Sequence, residues 1–201
     1  MASLKLNGDT SGEITISAPA VAGTNTLTLP AETGTIVTNV NGDVYPLTLG
    51  TAVPTTSGTS IDITGIPSWV KRVTLIFNGV NNSTGNPYLI QLGDSGGIET
   101  TGYLSNSIKV NQGAIGAGDE STAGFICLTS NVAAADVQGL FTFVNVSGNE
   151  WVLNYCVRIR DFEVTIGGGA KALSGQLDRI RVTTESGTAT FSEGQINILY
   201  D

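Results

Sequence analysis

The residues with the most chemical promise stand together at Leu92-Gly-Asp-Ser-Gly-Gly97. A serine held between an aspartate and paired glycines can serve as an acyl-transfer nucleophile on a tight turn. Such a serine needs a general base within hydrogen-bond reach, most often histidine. The chain has 0 histidines, and no lysine lies near the string in sequence. The expected structure is a Gly-rich turn leaving a strand, with Asp94 and Ser95 bonding its backbone. No catalytic residue is expected.

The remaining chemistry-bearing groups are dispersed. The 17 carboxylates offer pairs such as Asp161 with Glu163 or Glu185 with Glu193. A glycosidase could use such a pair, but neither has a distinctive spacing, and solvated surface charge is the simpler expectation. Asp119-Glu120 lacks the alternating oxygen ligands of a calcium loop. Gly167-Gly168-Gly169 follows a strand without the Gly-x-Gly-x-x-Gly spacing and helix of a phosphate cradle, so a surface loop is expected. Cys127 and Cys156 lie in apolar runs and are expected to be buried thiols acting as small hydrophobes, with a disulfide across paired strands as the alternative. No metal site and no cofactor are expected.

The elements that position these groups read as strands. Candidates run over 60–64, 70–78, 87–92, 98–110, 123–129, 138–146, 150–159, 161–166, 178–184, 188–191 and 194–199. Gly, Asn, Ser and Asp clusters separate them, including Asn78-Gly79, Asn81 to Asn86, Gly93 to Gly97 and Ser147-Gly-Asn149. The Ser-Gly-Asn link makes 138–146 and 150–159 the clearest hairpin. Alternation places Trp151, Leu153, Tyr155 and Val157 on its core face. Val152, Asn154, Cys156 and Arg158 fall on a partly polar face. Residues 130–137 have the composition for one helical turn. Strands at this spacing predict an all-β chain with a C-terminal β-sandwich, jelly-roll-like, over 60–201.

The first forty residues differ in texture. Gly12, Gly23 and Gly34 fall 11 residues apart, and each precedes a short alternating strand: Ile14 and Ile16, then Leu27 and Leu29, then Ile36. Strands with so few apolar side chains cannot bury a core in one copy. Three copies wound about an axis could, so residues 1–40 read as a fibrous stalk or adaptor module. These five residues are its expected oligomer interface. Residues 41–59, with prolines at 46 and 54, read as a linker.

Composition narrows the function classes. Charged residues make up 13%, about half the usual share, and net charge is −8. Mean hydropathy is +0.16. That combination speaks against disorder and suits a subunit that buries surface in an oligomer. With 9 cations there is no basic stripe for nucleic acid. No apolar run is long enough for a membrane span, and the N-terminus has no signal core, so synthesis in the cytoplasm is expected.

Residues 3–38 resemble a module of fibre and appendage proteins of tailed bacteriophages, particularly those of cyanobacteria and other aquatic bacteria. The matching stretches are Leu4-Lys-Leu-Asn-Gly-Asp-Thr-Ser-Gly12, Ala18-Pro-Ala-Val-Ala-Gly23 and Leu27-Thr-Leu-Pro30. Gly65 to Val73, Leu92 to Tyr103 and Phe191 to Asp201 are similar to fibre-tip domains of such phages. The resemblance implies a non-enzymatic, homotrimeric virion protein. Its N-terminal module would meet other virion proteins, and its tip would attach to the host surface, with a glycan as the expected receptor. Capsid decoration and a polysaccharide depolymerase tailspike are the competing roles. Expected receptor contacts lie on tip loops, at Asn81, Asn82, Asn86, Asp94 and Ser95, and on the Gly-rich stretches 113–118 and 167–169. Tyr88, Tyr103 and Trp69 are candidates for stacking on sugar rings, with core packing as their alternative.

Overall fold

The computed structural model describes residues 3–7, 11–17, 47–129, 132–133, 135–160 and 162–201. The chain divides into two compact units, Met1–Val44 and Tyr45–Asp201. In the first, β1 (Ser3–Asn7) and β2 (Glu13–Ser17) pair antiparallel, with Leu4 opposite Ile16 and Leu6 opposite Ile14. Ile14 and Ile16 thus sit on a strand, as expected. Leu27, Leu29 and Ile36 lie outside the described residues.

The second unit is entirely β among its described residues. Its strands are β3 (Thr48–Leu49), β4 (Val53–Pro54), β5 (Ser60–Thr64), β6 (Arg72–Asn82) and β7 (Tyr88–Asp94). There follow β8 (Gly97–Ile98), β9 (Tyr103–Asn111), β10 (Ala114–Ser121), β11 (Phe125–Cys127) and β12 (Val137–Ser147). The last four are β13 (Glu150–Ile159), β14 (Glu163–Ala172), β15 (Arg179–Thr184) and β16 (Phe191–Tyr200). A large antiparallel sheet has the order β10-β9-β14-β13-β12-β6-β16-β3, with β4 also on β16. A smaller antiparallel sheet has the order β11-β7-β15-β5, with β8 on β7. The two form the expected sandwich, because both are apolar on their facing sides.

The core follows from alternation. Trp151, Leu153, Tyr155 and Val157 point inward from β13, and Phe141 and Phe143 point inward from β12. They meet Tyr88, Ile90 and Leu92 of β7 and Ile180 and Val182 of β15. Ring contacts run through the middle, Phe77 to Phe141 at 4.7 Å and Phe141 to Tyr155 at 4.8 Å.

Several local expectations differ from the structure. Part of the expected linker 41–59 belongs to the sandwich: Leu49 pairs with Leu199 and Val53 with Ile196. Pro54 sits where theory allows it, on an edge. Asn78-Gly79 is not a turn but lies within β6, at a bulge against β16. There Gly194 (φ +88°) is forced, since a Cβ would overlap the Gly79 carbonyl. The expected strand 194–199 extends back across this bulge to Phe191 as β16, whereas residues 188–190 of the expected strand 188–191 lie outside any strand. The Gly-rich stretch 113–118 lies largely in β10, and Gly167–Gly169 are strand residues of β14 rather than a loop. Among the described residues there is no helix.

Candidate functional site

The Gly93–Gly97 turn joins β7 to β8, with Asp94 opposite Gly97. Asp94 is buried, which removes it from the expected receptor contacts. Its Oδ1 accepts the Gly96 N–H at 2.7 Å, and its Oδ2 lies 2.9 Å from the Ser174 hydroxyl. That hydroxyl is also 2.8 Å from Glu99 Oε1, which accepts the Ser174 N–H at 2.7 Å. Glu99 Oε2 pairs with the buried Lys171 ammonium, which donates to Ala172 O at 2.8 Å and lies 5.3 Å from the Tyr103 ring centre. The result is a chain Asp94–Ser174–Glu99–Lys171 that ties the turn to the end of β14.

Electrostatics match this geometry. The Ser174 hydroxyl, the Gly96 N–H and nearby Arg179 hold the Asp94 carboxyl below its ordinary value. Burial raises Glu99, but the Lys171 and Ser174 hydrogen bonds outweigh it, and the net direction is down. Lys171 is linked to the motif only through Glu99 and Ser174, and its ammonium is paired with Glu99. Ser95 is exposed at the tip, and no base is bonded to its hydroxyl among the described residues.

The Asn81–Asn86 segment is likewise built inward. Asn82 is 1% exposed. Its Oδ1 accepts the N–H groups of Thr84 and Asn86 at 3.3 and 3.0 Å, and its Nδ2 donates to Asn86 O at 2.9 Å. Asn81 is buried too, its Oδ1 accepting the Asn82 N–H at 2.7 Å. Asn86 Oδ1 accepts the Ser186 N–H at 2.9 Å, which pins the turn to the loop after β15. Asn81 and Asn82 are therefore turn-formers, not accessible contacts, because an Asx side chain here satisfies buried backbone donors. Of the five expected contact residues, Ser95 is exposed and Asn86 half-buried.

The aromatics follow the packing alternative. Tyr88 and Tyr103 are fully buried. Trp69 is half-buried against Tyr200, with ring centres 5.8 Å apart. Cys127 is buried, and burial pushes its thiol up. Cys156 is exposed, contrary to expectation, because it occupies the outward parity of β13; the two thiols are unpaired.

The two outer faces of the sandwich differ in chemistry. The small sheet has a polar outer row in which Gln91 pairs with Arg181 and Arg181 with Asp62; Gln91 is itself covered, its Nε2 donating to Ala123 O at 2.8 Å. Arg181 clasps Asp62 with two bonds of 2.6 and 2.7 Å. The large sheet shows an apolar face. Register aligns Ile108, Ile166, Cys156 and Leu140 in one row across four strands. Leu104, Ala170, Val152 and Val144 form a second, and Asn106, Gly168, Asn154 and Thr142 lie between. Ile108, Ile166, Asn106 and Gly168 also line an open trough of about 720 Å³, bounded by Asp119 and Glu120 of β10.

Sequence reasoning missed this face, though the signal was present. β12 carries Leu140, Val144 and Val146 at its outward parity as well as Phe141 and Phe143 inward, the pattern of a strand covered on both sides. Among the described residues no three His, Cys, Asp or Glu side chains converge as metal ligands. No protein family, no curated protein and no solved structure matches this chain.

Proposed function

We propose that this chain is a non-enzymatic virion fibre protein of a tailed bacteriophage, trimeric, and that it attaches the particle to the host cell surface. The observation that carries the reading is the division of the chain. A unit whose described residues form two five-residue strands precedes a sandwich body with its own hydrophobic core. That organisation suits an adaptor followed by a tip. The phage-appendage resemblance of residues 3–38 and of the tip stretches supports it. In this reading the N-terminal module meets other virion proteins and the tip meets a surface glycan. Three weak sites on one trimer, repeated over several fibres, make later binding events intramolecular and supply the strength. The exposed turn at Ser95 remains a contact candidate. Asn81, Asn82 and Asp94 serve by shaping their turns.

The test uses the labelled full chain, its mass by sedimentation equilibrium, and a panel of cyanobacterial and other aquatic cells. A trimer that binds cells far better than a monomeric variant at equal site concentration is the expected result. Equal binding by both forms refutes avidity. Binding by neither points to capsid decoration, and release of reducing ends from host polysaccharide points to a depolymerase.

A further inference from the structure

We infer that the outer face of the large sheet is an interface with other copies of this chain, so that the sandwich bodies as well as the N-terminal modules hold the trimer. The inference rests on the trimeric reading above and adds the surface that reading lacked.

Composition and register carry it. Leu104, Ile108, Leu140, Val144, Val152 and Ile166 are between 38% and 74% exposed, and all lie in the two apolar rows. Together with Val164 they line up as neighbours on one side of the sheet, and a contiguous apolar surface of this kind marks an interaction site. The two apolar rows carry no charge; the flanking row holds Arg158 beside Val164, and its guanidinium is paired with Asp136 at 2.8 Å. Glu120 ends the middle row beside Asn106, and Arg72, opposite Val144, is already bonded to Asp201 at 2.8 and 2.7 Å. A face without central charge suits a partner without central charge, and this face is itself such a surface. The neutral row Asn106, Asn154 and Thr142 offers amides and a hydroxyl that hydrogen-bond equally well to their own kind. The outer side of the small sheet carries the Arg181–Asp62 ion pair instead, so the apolar rows are specific to the large sheet.

The alternative occupant, a glycan, fits poorly. The face presents no aromatic ring to stack on a sugar, and aliphatic rows flank its polar row on both sides. The trough over Gly168 is instead a recess into which a large aliphatic side chain of a neighbouring copy, such as Leu104, can pack.

Cys156 reports on the face directly. It stands exposed in the first row between Ile166 and Leu140, whereas Cys127 is buried. The experiment is maleimide labelling of the full chain, native and after mild dissociation, with mass followed by sedimentation. In the native trimer Cys156 should label more slowly than in the dissociated chain, on the order of tenfold, since a covered group reacts only through opening. Leu104→Glu and, separately, Ile166→Glu should restore fast labelling while the β circular dichroism persists. A native trimer in which Cys156 reacts at the dissociated rate overturns the interface and leaves the fibre reading standing. A native monomer overturns both. An Ile14→Asp, Ile16→Asp chain that stays trimeric with Cys156 protected supports the interface and shifts the trimer contact away from the N-terminal module.

Discussion

Lys171 shows how one buried charge organises its surroundings. Its ammonium is almost fully buried and faces Glu99, whose second oxygen receives Ser174. Removing one partner of such a pair leaves the other charge uncompensated. Glu99→Gln should therefore cost ~3 kcal/mol, read as a lower urea midpoint. Asp94 and Glu99 carry depressed values, as does Asp62, which Arg181 holds down by its hydrogen bonds. The sign follows from linkage: a carboxyl lowered in the folded state binds fewer protons there than in the unfolded chain. Its contribution is complete above the ordinary values of 4.5 for Glu and 3.8 for Asp, and is lost as pH falls through the lower folded values. Urea midpoints measured across that range should fall toward acid, and Glu99→Gln should flatten the slope.

β11 is a three-residue edge strand whose free side has no backbone partner but is not open to water. Hydroxyls from the large sheet close it. Ser105 Oγ accepts the Ile126 N–H at 2.9 Å, and Ser107 Oγ accepts the Leu128 N–H at 3.2 Å. Thr165 Oγ1 donates to Leu128 O at 3.0 Å, and the Tyr155 hydroxyl donates to Ile126 O at 2.5 Å while resting 2.7 Å from Ser107 Oγ. These side chains do what a neighbouring strand would otherwise do, and they join the two sheets at one side of the sandwich. The arrangement requires Gly167, because a Cβ there would overlap the Tyr155 hydroxyl. Tyr155→Phe leaves a buried carbonyl short of its donor and should cost ~1–3 kcal/mol. Ser105→Ala should accelerate hydrogen exchange of the Ile126 amide more than of the Ile90 amide. Equal acceleration at both would mean that global unfolding, not the edge, was weakened.

At the scale of the molecule, the position of the unit boundary decides what can be removed. Gly50 N–H bonds Ile198 O at 2.7 Å and Thr55 N–H bonds Gly194 O at 2.9 Å, so residues 48–55 shield the far edge of β16. A chain starting at Tyr45 should fold and melt cooperatively. A chain starting at Gly58 loses β3 and β4 and exposes that edge. Its melting temperature should drop by ~2–4 °C for each kcal/mol lost, with a greater tendency to aggregate. Thermal melts followed by circular dichroism check both. Identical melts would show that β3 and β4 add nothing to the sandwich.

Local pattern was enough to identify this chain as all-β, to pair 138–146 with 150–159, and to place Trp151, Leu153, Tyr155 and Val157 inward. Strand periodicity is a property of neighbouring residues and needs no partner. The reading of Leu92 to Gly97 as a turn was legible for a similar reason: glycines and an Asx residue define it, and the missing histidine is a matter of composition. Only the tertiary structure decided which side of each strand water reaches. It separated Cys127 from Cys156 and drew Asn81, Asn82 and Asp94 inward onto backbone donors. Gly167–Gly169 became a strand because β9 and β13 pair with them on both sides. Thr48–Leu49 and Val53–Pro54, poor strands by themselves, formed because β16 presented an unpaired edge. The apolar outer face belongs to the same class: its residues come from β9, β14, β13 and β12, and only long-range register lines them into rows.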